Sequence, residues 1–288
     1  MSAINEKVKD KDIISYMYRT KYPNTILAFS EIVLDALRVF VMADEVELER
    51  LAVAKTKNLW ALVKRDIVND LNNSIVPLFD IIDEQKRLVK WIGVQCDKNK
   101  YLYVIRPELY GIIDKMTNRE YEALACVICK LLGAQNVLLT PPGNEDGIDF
   151  IASIKFSNSA HHLFGTKGPL RIIGQCKKYS SKDNVGHMKE FIQTIDTVHN
   201  QSFRAGQVLP SWFKTSAGPI IGWHIAHSGH QSGASDRAKN FGILTSDTKE
   251  IVDLICKSRI PGNQKGTYKD KVIYILNECK NFIKLPEQ

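Results

Sequence analysis

Gly147-Ile148-Asp149-Phe150, closing a polar loop, and Ile172-Ile173-Gly174-Gln175-Cys176-Lys177, twenty-odd residues downstream, decide how the chain folds. Both read as apolar strands, one opening on a carboxylate and the other ending on an amide and an amine. Gln175 and Lys177 are two apart, so they share one strand face while Cys176 takes the other. A carboxylate and an ammonium at the rims of two strands are the minimum equipment for metal-assisted hydrolysis of a phosphodiester. Plainer readings exist for each residue. Asp146-Gly147 supplies turn chemistry that accounts for an aspartate here, and an edge strand with a solvated face accounts for Gln175 and Lys177.

Working outward, the pattern predicts a helix at 118–132, strands at 136–140, 148–155 and 170–176, and a helix at 184–199. A strand at 219–226 and helices at 234–241 and 247–257 follow, giving an α/β sandwich with a mostly mixed sheet. Thr117 and Glu120 have the spacing of a reciprocal capping box at the start of the first helix. Glu122 lies in that helix's first turn, where a carboxylate could reach the rim bearing Asp149; helix-dipole stabilisation explains it equally. Cys126 and Cys129 have the spacing of a zinc or redox pair, but three residues apart on an apolar helix they read as two core thiols. The six cysteines of the chain are too few and too scattered for a disulfide framework.

In order, Tyr121-Glu122, Gly133, Asn136-Val-Leu-Leu-Thr140, Asp146-Gly-Ile-Asp-Phe-Ile-Ala152 and Ile173-Gly-Gln-Cys-Lys-Lys-Tyr179 resemble the Mrr-type restriction endonuclease domain. This is the branch of the PD-(D/E)xK nuclease superfamily with glutamine in place of the acidic residue before the lysine. Ile220-Ile-Gly-Trp-His-Ile-Ala226 and Ala238-Lys-Asn-Phe-Gly-Ile243 resemble its late strand and helix, so the likeness covers about 117–255. It implies a restriction-endonuclease-like three-layer α/β core with a central mixed sheet. It also implies catalytic roles for Asp149, Gln175, Lys177 and Glu122, with Asp149, Gln175 and Glu122 around the metal. Hard oxygen donors and a phosphate substrate make Mg²⁺ the expected ion. The chain departs from the family pattern at Phe156–Gly168, longer than the usual hairpin. Its His161-His162 pair reads as a polar loop tip rather than a ligand set.

The 39 Lys+Arg against 32 Asp+Glu give a net charge of +7, a mild bias toward polyanions. Lys167, Arg171, Lys178 and Lys182, with Lys177 and Lys189, form a strip able to follow a phosphate backbone, although a solvated lysine face is as good a reading. Trp212, Trp223, His224, His227 and His230 invite reading as a second cluster; Trp223 alternates with Ile221 and Ile225 and belongs to the core.

Residues 1–115 read as a mainly helical recognition or regulatory domain, with helices at 26–41 and 46–71. Two strand-like runs, from Leu88 and from Tyr101, flank the polar turn Asp97–Lys100. Helices followed by a hairpin fit a winged-helix module and fit a small α+β interaction domain equally. The nuclease-like domain spans 116–260 and a Lys-rich extension 261–288. A charged N-terminus and the lack of any ~20-residue apolar run predict a soluble cytoplasmic protein with no membrane partner.

Three readings remain open: a Mg²⁺-dependent DNA endonuclease in restriction or anti-phage defence, a non-catalytic DNA-binding or scaffold protein that kept the fold, and a nuclease switched on by a partner or ligand at residues 1–115. A homodimer is expected of the first, since cutting both strands needs two active sites or two visits.

Overall fold

The computed structural model describes residues 8–72, 76–92, 105–142, 147–155, 168–200, 209–215, 218–260 and 268–284. The chain divides into two compact units, Met1–Ile112 and Ile113–Gln288.

The first unit gathers α1 (Asp10–Arg19), α2 (Phe29–Phe40) and α3 (Glu45–Asn72) with a small antiparallel sheet of order β1-β3-β2. Phe29, Ile32, Val33, Leu37, Leu59 and Val63 are buried. Phe29 meets Trp60 edge to face at 5.2 Å. One expectation is corrected here. The run from Ile26 is not helical from its start: β1 (Ile26–Ala28) pairs with β3 (Leu88–Trp91), and the helix begins at Phe29, where Glu31 Oε2 accepts from the Ala28 N–H. A hairpin joins β2 (Phe79–Asp83) to β3. Its turn lacks glycine: Asp83 Oδ1 accepts from the Lys86 N–H, and Arg87 adopts a φ of 52°. The expected turn at Asp97–Lys100, and the run from Tyr101 that was expected to flank it, lie outside the described residues.

The division falls within α4 (Arg106–Lys115), and α5 (Asn118–Leu131) is the first helix that lies wholly in the second unit. The capping box forms as the spacing requires, with Thr117 Oγ1 accepting from the Glu120 N–H at 3.2 Å and Glu120 Oε2 accepting from the Thr117 N–H at 2.7 Å. The strands β4 (Asn136–Leu139), β5 (Phe150–Ile154), β6 (Leu170–Lys177), β7 (Ile220–Ala226) and β8 (Leu244–Asp247) make one sheet in that order. The first three are antiparallel neighbours; β6, β7 and β8 run parallel. The sheet is thus mixed, as expected, with a fifth strand the pattern did not announce.

Strand alternation divides the core into two layers. Ile151 and Ile173 face α6 (Val185–His199) and α8 (Ser232–Asn240), packing on Met188, Phe191, Ile192, Ala234 and Ala238. The short α7 (Ser211–Lys214) adds Phe213 to the same cluster. The alternate residues, from Phe150 through Ile172 to Cys176, lie on the face covered by α5. Gly174 belongs to that face because a Cβ there would come within 1.9 Å of the Phe150 ring. Cys126 and Cys129 of α5 are fully buried, and burial pushes both thiols up. Helices on both faces of a mixed sheet make the three-layer α/β/α core.

After β7 the chain continues through α8, β8 and α9 (Thr248–Lys257) to α10 (Tyr268–Lys284), which packs along α5. Lys130 of α5 pairs with Glu278 of α10 at 2.6 Å. Lys271 donates to the carbonyls of Ile255, Cys256 and Ser258, satisfying the otherwise orphaned end of α9. No described helix is long and apolar enough to cross a membrane.

Candidate active site at the ends of β5 and β6

Antiparallel pairing of β5 with β6 places Phe150 opposite Gly174, so the residue before one strand meets the residues ending the other. Asp149 donates its N–H to the Gly174 carbonyl at 2.9 Å, and its Oδ2 accepts from the Cys176 N–H at 2.6 Å. The carboxylate is thereby pinned between the two strands. Burial raises the Asp149 pKa to about 6. The Cys176 N–H opposes that rise, the Glu122 carboxylate adds to it, and Lys177 and Arg119 lower it. These influences place the carboxylates of Asp149 and Glu122 in one electrostatic neighbourhood with two cations.

Gln175 is 5% exposed and donates through Nε2 to the Gly147 carbonyl at 2.9 Å. Glycine is favoured at 147 by its φ of +72°, and a Cβ there would stand 2.9 Å from Gln175 Nε2 and push that amide aside. With its amine so anchored, the amide leaves Oε1 buried and without a hydrogen-bond partner. Buried acceptors are rarely left so, and each one calls for an explanation. The ammonium of Lys177, half-buried at the end of β6, makes no hydrogen bond or ion pair with any described residue. Glu122 is held 2.8 Å from the Arg119 guanidinium, one helical turn earlier. Arg119 went unnoticed in the sequence, although the three-residue spacing on a helix was a signal for it.

The four expected site residues therefore fall into one region of the second unit. Two carboxylates and an unpartnered amide oxygen are hard oxygen donors, and they suit a hydrated divalent cation such as Mg²⁺.

The expected nucleic-acid strip does not stay together. Arg171 sits at the opposite end of β6, where its guanidinium donates to the carbonyls of Phe213 and Gly218. Lys178 donates to the Asp114 carbonyl at 3.0 Å. Lys182 and Lys189 are exposed, and Lys167 with His161 and His162 lies outside the described residues. Trp223 packs on Phe150 and donates to Ser246 Oγ, so it belongs to the core. His227 bridges Thr248 and Asp114, packing edge-on against Tyr121.

A mixed sheet with helices on both faces, carrying aspartate, glutamine and lysine at the meeting ends of adjacent strands, defines the restriction-endonuclease-like class of α/β domain. Residues 113–217 match the restriction endonuclease family model of the Mrr catalytic type, a span that contains Glu122, Asp149, Gln175 and Lys177. This segment is accordingly a nuclease-type domain. Two solved structures are similar. One is the MspJI restriction endonuclease in complex with a 27-mer oligonucleotide, with a TM-score of 0.39 and 14% identity over 68% of this chain and 44% of that one. The other is the DNA modification-dependent restriction endonuclease AspBHI, with a TM-score of 0.40 and 14% identity over 67% of this chain and 44% of that one. The chain spans less than half the length of either. No curated protein matches it.

Proposed function

We propose that the chain is a Mg²⁺-dependent DNA endonuclease that hydrolyses phosphodiester bonds, with the first unit selecting the target or regulating cleavage. The observation that carries this reading is the buried, unpartnered Gln175 Oε1 between Asp149 and an unpaired Lys177. A scaffold that had kept only the fold would gain nothing from leaving these groups unsatisfied.

Asp149, Gln175 and Glu122 would hold the cation. When bound, it would supply Lewis-acid stabilisation of charge on phosphate and lower the pKa of coordinated water. The chain's own residues do the rest. The Cys176 N–H fixes the Asp149 carboxylate, and the Gly147 carbonyl fixes the Gln175 amide so that its oxygen is presented. Arg119 steadies Glu122 and offsets part of the negative charge that two carboxylates would accumulate. The Lys177 ammonium would orient the attacking water and neutralise charge growing on the phosphate. Water adds to phosphorus, one P–O ester bond breaks, and the leaving alkoxide takes a proton.

The DNA-binding surface would include Lys178 and Lys182 beside the site. A restriction role against incoming DNA, and a homodimer to cut both strands, complete the proposal. Incubating the full-length protein with modified and unmodified plasmid and Mg²⁺ tests it, with Lys177→Ala and Asp149→Ala alongside. Nicking or linearisation by the wild type alone is expected. Cleavage that survives both substitutions would remove the site assignment. Binding of DNA without cleavage under every condition, cell extract included, would favour a non-catalytic DNA-binding protein.

A further inference from the structure

One strand over from Gln175 lies a second polar cluster of different chemistry. His224 stands opposite Gln175 in the parallel register of β6 and β7. Beside it are Asp183, from the loop between β6 and α6, and His230, from the turn between β7 and α8. One ligand-type atom from each of the three lies within 4.8 Å of the others. Asp183 and His224 are 2% and 0% exposed, and His230 is half-buried.

The backbone knits these segments together before any ligand arrives. Asp183 donates its N–H to the Gly229 carbonyl at 2.8 Å, and the Gln231 N–H donates to the Asp183 carbonyl at 2.9 Å. His187, one turn into α6, engages Asp183 Oδ1 through Nδ1 and so orients the carboxylate. Its other oxygen, Oδ2, has no hydrogen-bond partner, and neither does His224 Nε2, 3.6 Å away. Two fully buried polar atoms that face each other without bonding are costly unless something stands between them. Ligand atoms on a tetrahedral zinc, at about 2.0–2.2 Å from the ion, are themselves about 3.4 Å apart. His224 Nδ1 and His230 Nε2 lie 3.0 Å apart, which joins the two rings and leaves His224 Nε2 turned toward Asp183 Oδ2; an ion taken up by all three residues would replace that ring-to-ring hydrogen bond.

We propose that Asp183, His224 and His230 form a transition-metal site, suited to Zn²⁺ by its two imidazole nitrogens and one carboxylate oxygen. This donor set separates it from the all-oxygen cluster of Asp149, Gln175 and Glu122, which favours a harder ion. A fourth position is left for water. The ion would clip the loop that follows Lys177 to β7 and to the turn before α8, bracing the rim on which Lys177 stands. The inference stands whether or not the chain cuts DNA.

The test is metal content and stability of the full-length chain. After loading with Zn²⁺ and desalting, one zinc per chain is expected. Co²⁺ should give the visible absorption of a four-coordinate ion, and Zn²⁺ should raise the melting temperature in a manner EDTA reverses. His230→Ala and the isosteric Asp183→Asn, each checked for fold by circular dichroism, should retain less than about a tenth of that zinc. His187→Ala should keep the site but weaken it roughly 10–100-fold, as loss of an outer partner does. Asp149→Ala should retain zinc in full. A wild type that retains none, or folded His230→Ala and Asp183→Asn proteins that retain as much as the wild type, would overturn the proposal.

Discussion

The two ends of β6 carry cations that the sequence presents as one basic strip, and the fold uses them in opposite ways. At the start, Arg171 donates to the Phe213 carbonyl at 2.9 Å and to the Gly218 carbonyl at 2.7 and 3.1 Å, with its guanidinium over the Phe213 ring. At the end, the Lys177 ammonium has no partner among the described residues, beside a buried amide oxygen equally without one. A cation whose donors are spent on backbone carbonyls is a structural device. Unspent groups beside a carboxylate raised to about 6 are the feature on which the proposed site rests.

The sharpest way to break this contrast is to remove the groups at the rim. Lys177→Ala and Asp149→Ala should each lower cleavage about 10²–10⁴-fold, and Lys177→Ala should leave the melting temperature nearly unchanged, with cleavage measured on plasmid at saturating Mg²⁺. The same truncation at the other end should do the reverse. Arg171→Ala should cost about 2–3 kcal/mol in urea unfolding, because it takes away the hydrogen bonds that the guanidinium gives to the Phe213 and Gly218 carbonyls. Cleavage per folded molecule should hold. Arg171→Lys should recover little, since an ammonium cannot reproduce the fork. A folded Arg171→Ala protein of native stability that has lost DNA affinity would erase the distinction between the two ends.

The contrast could not be read before the fold was known, because a run of lysines and arginines does not say which carbonyls will come near. Arg171 is satisfied by residues more than forty positions away, and neither Phe213 nor Gly218 advertises a free carbonyl. The rim itself was legible. Glycine before a carboxylate, followed by an apolar strand ending Gln-x-Lys, is a local pattern, and period-two alternation fixes which side chains share a face. The capping box at Thr117 and Glu120 was legible for the same reason. Strands β1 and β8 were not: three or four residues carry too little alternation to separate from a neighbouring helix, and tertiary pairing decides them. The cluster of Asp183, His224 and His230 was half visible. Its histidines stood out, but Asp183 lies some forty residues before them among lysines, and only the parallel pairing of β6 with β7 brings it to them.

A finer test turns on the ionisation of Asp149, whose pKa rises from roughly 3.9 unfolded to about 6 folded. A carboxyl with a raised folded pKa favours folding below the unfolded value and loses that contribution as pH climbs through the folded one. In metal-free buffer Asp149→Asn should therefore be more stable than the wild type at pH 8 by about 1–2 kcal/mol, the gap closing as pH falls from 6 toward 4. A gap that widens on acidification would mean that the carboxylate is stabilised at this rim. Gln175→Glu sharpens the same point from the other side. Added negative charge should tighten Mg²⁺ about tenfold or less. Unchanged Mg²⁺ dependence of cleavage would show that this side chain does not touch the ion.

The smallest expected effect separates two neighbouring lysines. Lys178 already donates to the Asp114 carbonyl, whereas Lys182 is exposed. A phosphate contact from Lys182 would release about one counterion, so Lys182→Ala should reduce the slope of log affinity against log salt by about 0.9. Lys178→Ala should change that slope less, because its ammonium is engaged within the fold and reaches DNA only by giving up that bond. Equal slopes for both variants would mean that the internal bond of Lys178 does not outlast DNA binding. The division between structural and available cations would then hold at Arg171 alone.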